Sequence, residues 1–188
     1  MEIVAEGLSV AGVYPAVSLE AEAGAFTVVA GPAGSGRTSL LLTLAGRMKP
    51  THGGLRVAGH TRRRAIRRVA ALALVDGVTD LDRSLTVREH LRERRRRPAA
   101  AYGAALERAG LTVDERAFVR DLDREQRVRL GVALALLDEP RAILADNVDA
   151  GLPAAACQSL WNLLRDLDHT VIASCVQPPA RYDHLVEL

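Results

Sequence analysis

The chain reads as an α/β domain, a sheet core with a small helical block inserted in its middle. Three observations carry that reading. Short apolar runs at residues 26–29, 69–75, 141–146 and 170–175 alternate with helical patterns. Residues 26–44, FTVVAGPAGSGRTSLLLTL, join one such run to a glycine-rich turn and then to leucines on one helical face. Between about 84 and 137 helix signals follow one another with no strand between them.

Length and composition set the bounds. At 188 residues the chain is a single domain, long enough to bury a proper core. Aromatics are only 3%, so stacking on bases would find few platforms, and a net charge of +2 is too small to argue for nucleic acid. Lys49 is the only lysine, so nearly every cation is arginine. Cys157 and Cys175 have no metal spacing and sit in apolar patterns, which reads as reduced core thiols in a cytosolic setting. The opening residues carry no basic-then-apolar signal, and no apolar run approaches the ~20 residues a membrane span needs. Any link to a membrane then goes through a partner.

The elements follow in order. Residues 2–5 and 17–22 suggest two strands of an opening hairpin, interrupted by Gly12 and Pro15. The helix after the glycine turn stops at Gly46, and the chain turns through Pro50, Gly53 and Gly54 into a short strand at 55–58. Residues 61–68 form a basic helical turn, and VAALALV at 69–75 is a buried strand bounded by Asp76 and Gly77. Thr86-x-x-Glu89 is a capping box for a helix that runs through Arg92–Arg97 to Pro98. A second helix spans 99–109 with Gly110 as its stop. Thr112-x-x-Glu115 reads as another capping box, and Asp123-x-x-Gln126 opens a helix to Leu137. A strand at 141–146, a helix from Pro153, and strands at 170–175 and 184–188 complete the chain. The Pro153 helix places Cys157, Leu160, Trp161, Leu164 and Leu167 on one face, so Trp161 is a core residue.

The glycine turn is a candidate phosphate cradle. Small residues let successive backbone N–H groups converge on an anion, and the following helix adds the positive end of its dipole. The spacing G-x-x-x-x-G-[cation]-[Ser/Thr] is filled by Gly31, Pro32, Ala33, Gly34, Ser35, Gly36, Arg37 and Thr38, followed by Ser39. Arginine stands where that pattern asks for lysine. Taken alone, the stretch favours the cradle, with an ordinary strand-to-helix turn as the lesser alternative.

The order of segments resembles the ATP-binding cassette of ABC transporters along essentially the whole chain, so the fold implied is a P-loop NTPase with an ABC-type sheet core. The residues that carry it are GPAGSGRTSL as Walker A, AGRMKPTHGGLRVAGH as the helix–turn–strand segment, RSLTVREHL at 83–91 after the Q-loop, LDREQRVRLGVALALL at 122–137 as the signature and its helix, and AILADN at 142–147 as Walker B. The resemblance implies ATP and Mg²⁺ as ligands, with Thr38 and Asp146 reaching the metal and Gly31 to Ser39 holding phosphate. It also implies an integral-membrane permease, a homo- or heterodimer with another ABC subunit, and a cytoplasmic location at the membrane's inner face. Asp138-Glu139-Pro140 also spells a Walker B ending. From Gln126 to Asp138 there is room for one helix of about three turns and none for a helix plus a strand, which assigns Walker B to 142–147.

Against the resembling family, this chain departs at several positions. Asn147 stands where the family has its catalytic glutamate, and a neutral amide can hydrogen-bond water but cannot take its proton. Arg37 keeps its charge, but its planar fork is bulkier than an ammonium. The signature is replaced by Leu122, Asp123, Arg124, Glu125 and Gln126; as a cap, Asp123 would put a carboxylate where a phosphate should land. Asp76 or Gly77 stands near the Q-loop glutamine, Pro153 at the D-loop aspartate and Val176 at the switch histidine; His169 and His184 lie where neither serves that role. The expectation is bound Mg-nucleotide with impaired or lost hydrolysis, in a regulatory or structural half of a transporter.

Two features stay open. Tyr14 either stacks on adenine, as the family's A-loop aromatic does, or packs. The run Arg92–Arg97 is a solvated helix face, a contact for anionic lipid or a membrane subunit, or a nucleic-acid contact. Rival readings of the whole chain are an active ABC ATPase with unusual residues and a small P-loop kinase whose arginine run clamps phosphate. A DNA-associated cassette would need a long coiled coil or zinc inserts.

Overall fold

The structure is a computed structural model and describes residues 1–94 and 98–188. Two sheets organise it. A five-stranded parallel sheet runs in the order β5 (Ala70–Leu72), β6 (Ala142–Ala145), β7 (Thr170–Cys175), β3 (Phe26–Ala30), β8 (His184–Glu187). A three-stranded antiparallel sheet runs β2 (Tyr14–Ala21), β1 (Ile3–Val10), β4 (His52–Val57). Strands β3, β6 and β7 are buried along their whole length. That is why they read as unbroken apolar runs: a parallel strand covered on both faces has no polar side to show.

Pleating splits each of those strands between two cores. Val28, Ile143 and Val171 face one apolar cluster with Leu130, Leu160 and Trp161. Val29, Leu144 and Ile172 face the other, with Leu40, Leu41, Leu44 and the inner face of the antiparallel sheet. The first face is covered by α3 (Val87–Glu93), α4 (Ala100–Arg108), α5 (Arg124–Leu137) and α6 (Ala154–Asp166); the second by α1 (Arg37–Leu44) and α2 (Arg63–Val69). On α6, Leu160, Trp161 and Leu164 are buried as their spacing requires, and the Trp161 ring lies 6.2 Å from that of Phe26.

Two expectations are corrected. Gly53 and Gly54 are not a turn before a strand; they lie inside β4. A Cβ on Gly53 would stand 2.4 Å from the Gly7 carbonyl oxygen, and its φ is +87°, so the close approach to the irregular register of β1 is what needs glycine. Thr112-x-x-Glu115 opens no helix. Asp114 closes a turn instead, its carboxylate accepting from Arg116 N at 2.9 Å. The carbonyls of Ala117 and Glu115 then accept from Val87 N and Arg88 N at 3.0 and 2.8 Å. Those are first-turn donors of α3, which a helix cannot satisfy internally. The segment is a turn whose carbonyls cap a neighbouring helix.

The other two boxes form as read. Thr86 and Glu89 cap α3 reciprocally, as Asp123 and Gln126 cap α5. Helix α3 ends at Glu93; the expected continuation of the helix through Arg95–Arg97 lies outside the described residues. Among the described residues no helix is long and apolar enough to cross a membrane.

Candidate functional site

The site lies at the carboxyl edge of the parallel sheet. Strands β6, β7 and β3 are neighbours, with Ala145 beside Ala173 and Ala30 beside Cys175. Residues 31–36 leave β3 there and re-enter the fold as α1. Gly36 caps that helix with φ +94°, and a Cβ on it would meet the Val13 carbonyl oxygen at 2.6 Å and Tyr14 Cβ at 2.7 Å. A Cβ on Gly31 would stand 2.6 Å from the Leu188 carbonyl oxygen. Glycine is therefore required at both ends of the loop by packing, and at Gly36 by backbone conformation as well. Pro32, Ala33 and Gly34 between them are exposed. Helix α1 has no side-chain cap, so its first-turn N–H groups and the positive end of its dipole face the loop.

Three chain-distant side chains converge under the loop. Thr38 Oγ1 donates to Asp146 Oδ2 at 2.6 Å. The Ser174 hydroxyl donates to Asp146 Oδ1, and Ser174 Oγ also accepts from Asn147 N at 2.9 Å. Asp146 is 5% exposed, so these charge-assisted bonds hold a buried carboxylate in place. Arg37 Nη2 donates to Asn147 Oδ1 at 2.9 Å, and Asn147 Nδ2 donates to Asp146 Oδ2 at 3.3 Å. Asn147 has φ +47°, a conformation asparagine tolerates better than most residues.

Two donors are left over. Arg37 Nη1 and Ser35 Oγ are buried and have no hydrogen-bond partner among the described residues. An unsatisfied buried cationic arm is costly, and an anion oxygen is its natural complement. The donor set suits a phosphate-bearing ligand. The hydroxyl of Thr38 and the carboxylate of Asp146 suit Mg²⁺, a hard cation commonly held by one or two protein oxygens together with substrate phosphates.

Register is visible in the same geometry. Asp138 caps the end of α5 and Glu139 follows in a left-handed turn with φ +47°. It is Asp146, at the tip of β6, that reaches Thr38. Tyr14 is corrected: it is 4% exposed and packed behind Gly36, so its ring belongs to the core and cannot stack on a base. Burial pushes its phenol above the usual range, with the Thr43 hydroxyl beside it acting in the opposite direction.

Sequence reasoning missed Ser174 and Asp149. Ser174 is the polar residue in an otherwise apolar β7 tip, a signal that was there to use. The Asp149 carboxylate accepts from Val176 N and Gln177 N at 2.9 and 3.2 Å, tying the turn after β6 to the turn after β7. Burial, with the Asp149 carboxylate second, pushes the Cys175 thiol up to about 12.

The family model described as ABC transporter matches residues 14–150. This chain belongs to the ABC transporter family. Among curated relatives, the phosphonates import ATP-binding protein PhnC of Thiobacillus denitrificans is 32% identical over 80% of this chain and 65% of its own length. The taurine import ATP-binding protein TauB of Yersinia pestis is 32% identical over 79% of this chain and 60% of its own. The chain thus spans less than two thirds of the length of these relatives. Among solved structures, an ABC transporter ATP-binding protein from Pyrococcus furiosus superposes with a TM-score of 0.83, 19% identity, and 99% and 96% coverage of the two chains. The structure of cbiO1 from Clostridium perfringens, part of the ABC transporter complex cbiONQ, gives a TM-score of 0.80 at 18% identity, covering 94% of this chain and 78% of that one. The P-loop NTPase fold of ABC domains is therefore this chain's fold.

The start of α5, the segment aligned by sequence with the family's signature, is capped by its own residues. Asp123 Oδ1 accepts from Gln126 N at 2.8 Å, and Gln126 Oε1 accepts from Asp123 N at 3.0 Å. The amino-terminal end of α5 therefore carries a carboxylate on its own first-turn N–H. At the opposite, amino-terminal edge of the sheet lies a cleft of about 700 Å³ lined by Arg47, Arg67, Arg68 and Arg94 against Glu93 and Asp138. Arg94 pairs with Asp138 at 3.2 Å. Among the described residues, four arginines stand against two carboxylates in this cleft, and burial, then the Arg67 and Arg94 charges, holds Arg47 below the usual range.

Proposed function

We propose that this chain is the ATP-binding subunit of an ABC importer that keeps Mg-nucleotide binding and has lost most of its hydrolysis. The carrying observation is the Arg37–Asn147 contact at 2.9 Å beside Asp146. The backbone cradle, Thr38 and Asp146 supply what phosphate and metal binding need. A base that could accept the proton of attacking water is missing at 147, and such a base contributes about 10²–10⁴ in rate. The Asp123 cap extends the loss to the site a partner subunit would complete, because in this family each site is shared between two subunits.

Import is supported by the names of the relatives. The rest of the reading is a dimer with another ABC subunit and an integral-membrane permease, the chain lying on the cytoplasmic face through that partner. The arginine-rich cleft favours a permease segment carrying carboxylates. A titration of purified protein with ATP, with and without Mg²⁺, alongside a phosphate-release assay tests the reading. Micromolar to millimolar ATP binding with turnover near background is expected. Turnover of several per second without a partner would overturn it.

A further inference from the structure

Arg37 is held by one arm. Its Nη2 is engaged by Asn147 Oδ1 at 2.9 Å, while Nη1 is buried with no partner among the described residues. The residue as a whole is 7% exposed. The asparagine that holds it is fixed through its backbone, where Asn147 N donates to Ser174 Oγ at 2.9 Å, and through its side chain, where Nδ2 donates to Asp146 Oδ2 at 3.3 Å and leaves Oδ1 for the guanidinium.

Position 147 therefore needs a donor on one side and an acceptor on the other, and an amide is the group with both. A carboxylate there would face the Asp146 carboxylate with a like charge. It would also accept from both arms of Arg37 in a fork, the preferred geometry of arginine with a carboxylate. The guanidinium would then be withdrawn from the cradle. A lysine at 37 has no fork and is not captured in that way.

We propose that Asn147 is a positioning residue: it holds Arg37 by Nη2 so that Nη1 stays available for phosphate oxygens, and arginine at 37 and the amide at 147 work as a matched pair. The inference rests on the nucleotide-binding reading of the same loop. On this account the asparagine is the residue that an arginine at position 37 demands, beyond its being a base that was lost.

The experiment is a double-mutant cycle on the full chain, read as ATP affinity at fixed Mg²⁺, with melting temperature as a folding control. Asn147→Asp is nearly isosteric and tolerates the left-handed backbone. In the Arg37 background it should weaken ATP binding at least tenfold; after Arg37→Lys the same change should cost threefold or less. If Asn147→Asp fails to fold, Asn147→Gly suits the positive φ and removes the holding group, again with a loss expected only in the Arg37 background. Equal effects in both backgrounds, or no effect beside Arg37, would overturn the pairing. ATP binding by Arg37→Lys but not by the natural chain would do the same. Failure of every variant to bind ATP would overturn the nucleotide-binding reading itself.

Discussion

Thr38 and Asp146 are separated by 108 positions in the chain and by 2.6 Å between Oγ1 and Oδ2. The pairing spans three strands: Asp146 ends β6, Thr38 begins the helix that follows β3, and β7 lies between, with Ser174 holding the other carboxylate oxygen. Both oxygens of Asp146 are thereby held in place, Oδ1 by Ser174 and Oδ2 by Thr38. Asp146→Ala should leave ATP binding without Mg²⁺ nearly unchanged and remove most of the metal-dependent gain. If Mg²⁺ tightens binding by about tenfold in the natural chain, the ratio should fall to about one in the variant. Paired calorimetric titrations with Mg²⁺ and with EDTA provide the check.

Placing lysine at 37 and glutamate at 147 tests the proposed loss of hydrolysis. Arg37→Lys with Asn147→Glu should raise phosphate release above the natural chain, with about 10²–10⁴ as the ceiling for the regained base. Asn147→Glu alone should give no such gain, because the guanidinium that now donates to Asn147 Oδ1 at 2.9 Å can pair with the new carboxylate. Steady-state phosphate release for the four combinations decides the matter. A fully active Asn147→Glu single variant would contradict the geometry.

At the α5 cap, the hydrogen bond and the charge of Asp123 can be removed separately. Asp123→Ala removes the acceptor of Gln126 N and should cost about 1 kcal/mol, a drop of roughly 2–4 °C in melting temperature for a chain of this size. Asp123→Ser keeps a capping oxygen without the charge, so its melting temperature should stay within about 1 °C. Differential scanning calorimetry of both variants distinguishes loss of a cap from loss of a charge.

How far the sequence reached depends on whether a residue's partner was near in the chain. The caps at Thr86 and Asp123 were legible because donor and acceptor lie three residues apart. The tip of β6 was legible by length, since 126–138 holds one helix only. Thr112-x-x-Glu115 misled for a physical reason: the carbonyls of Glu115 and Ala117 serve the start of α3, some 30 residues earlier, and local pattern carries no trace of that demand. Tyr14 was ambiguous until its neighbour was known. The close approach of Gly36 puts the ring in the core, and nothing in residues 11–17 announces it. Ser174 and Asp149 were missed because their role exists only once β6 and β7 stand side by side.

Acid stability should report the α3 cap. Glu89 is held below the usual carboxylate range, first by the Thr86 backbone N–H and then by the Thr86 hydroxyl. A carboxyl lowered in the folded state contributes stability that is complete above its unfolded value, near 4.5, and is lost as pH falls through the lower folded value. Below about pH 4.5 the melting temperature of the natural chain should therefore fall more steeply than that of Glu89→Gln. Parallel curves from pH 6 to pH 3 would show that the group contributes nothing.

The last prediction uses the thiol under the site. Cys175 is fully buried, and its carbonyl accepts from Gly31 N at 3.2 Å, so it forms part of the floor on which the loop rests. With its thiol pushed up to about 12, only about 10⁻⁴ of it is thiolate at pH 8. Cys157 is half-buried and raised as well, by burial first and Asp149 second, but it is the more accessible of the two. Iodoacetamide at pH 8 should therefore label Cys157 first and Cys175 only through opening of the floor. Because burial is the main cause of the raised value, the opened thiol returns toward its ordinary value near 9, and moving from pH 8 to pH 9 should speed Cys175 labelling about fivefold. ATP bound in the loop should slow Cys175 without changing Cys157, since it closes the segment that Gly31 begins. Mass spectrometry of the two cysteine peptides over time measures both. A Cys175 that reacts as fast as Cys157, with or without ATP, would show that the β7 tip is not sealed beneath the loop.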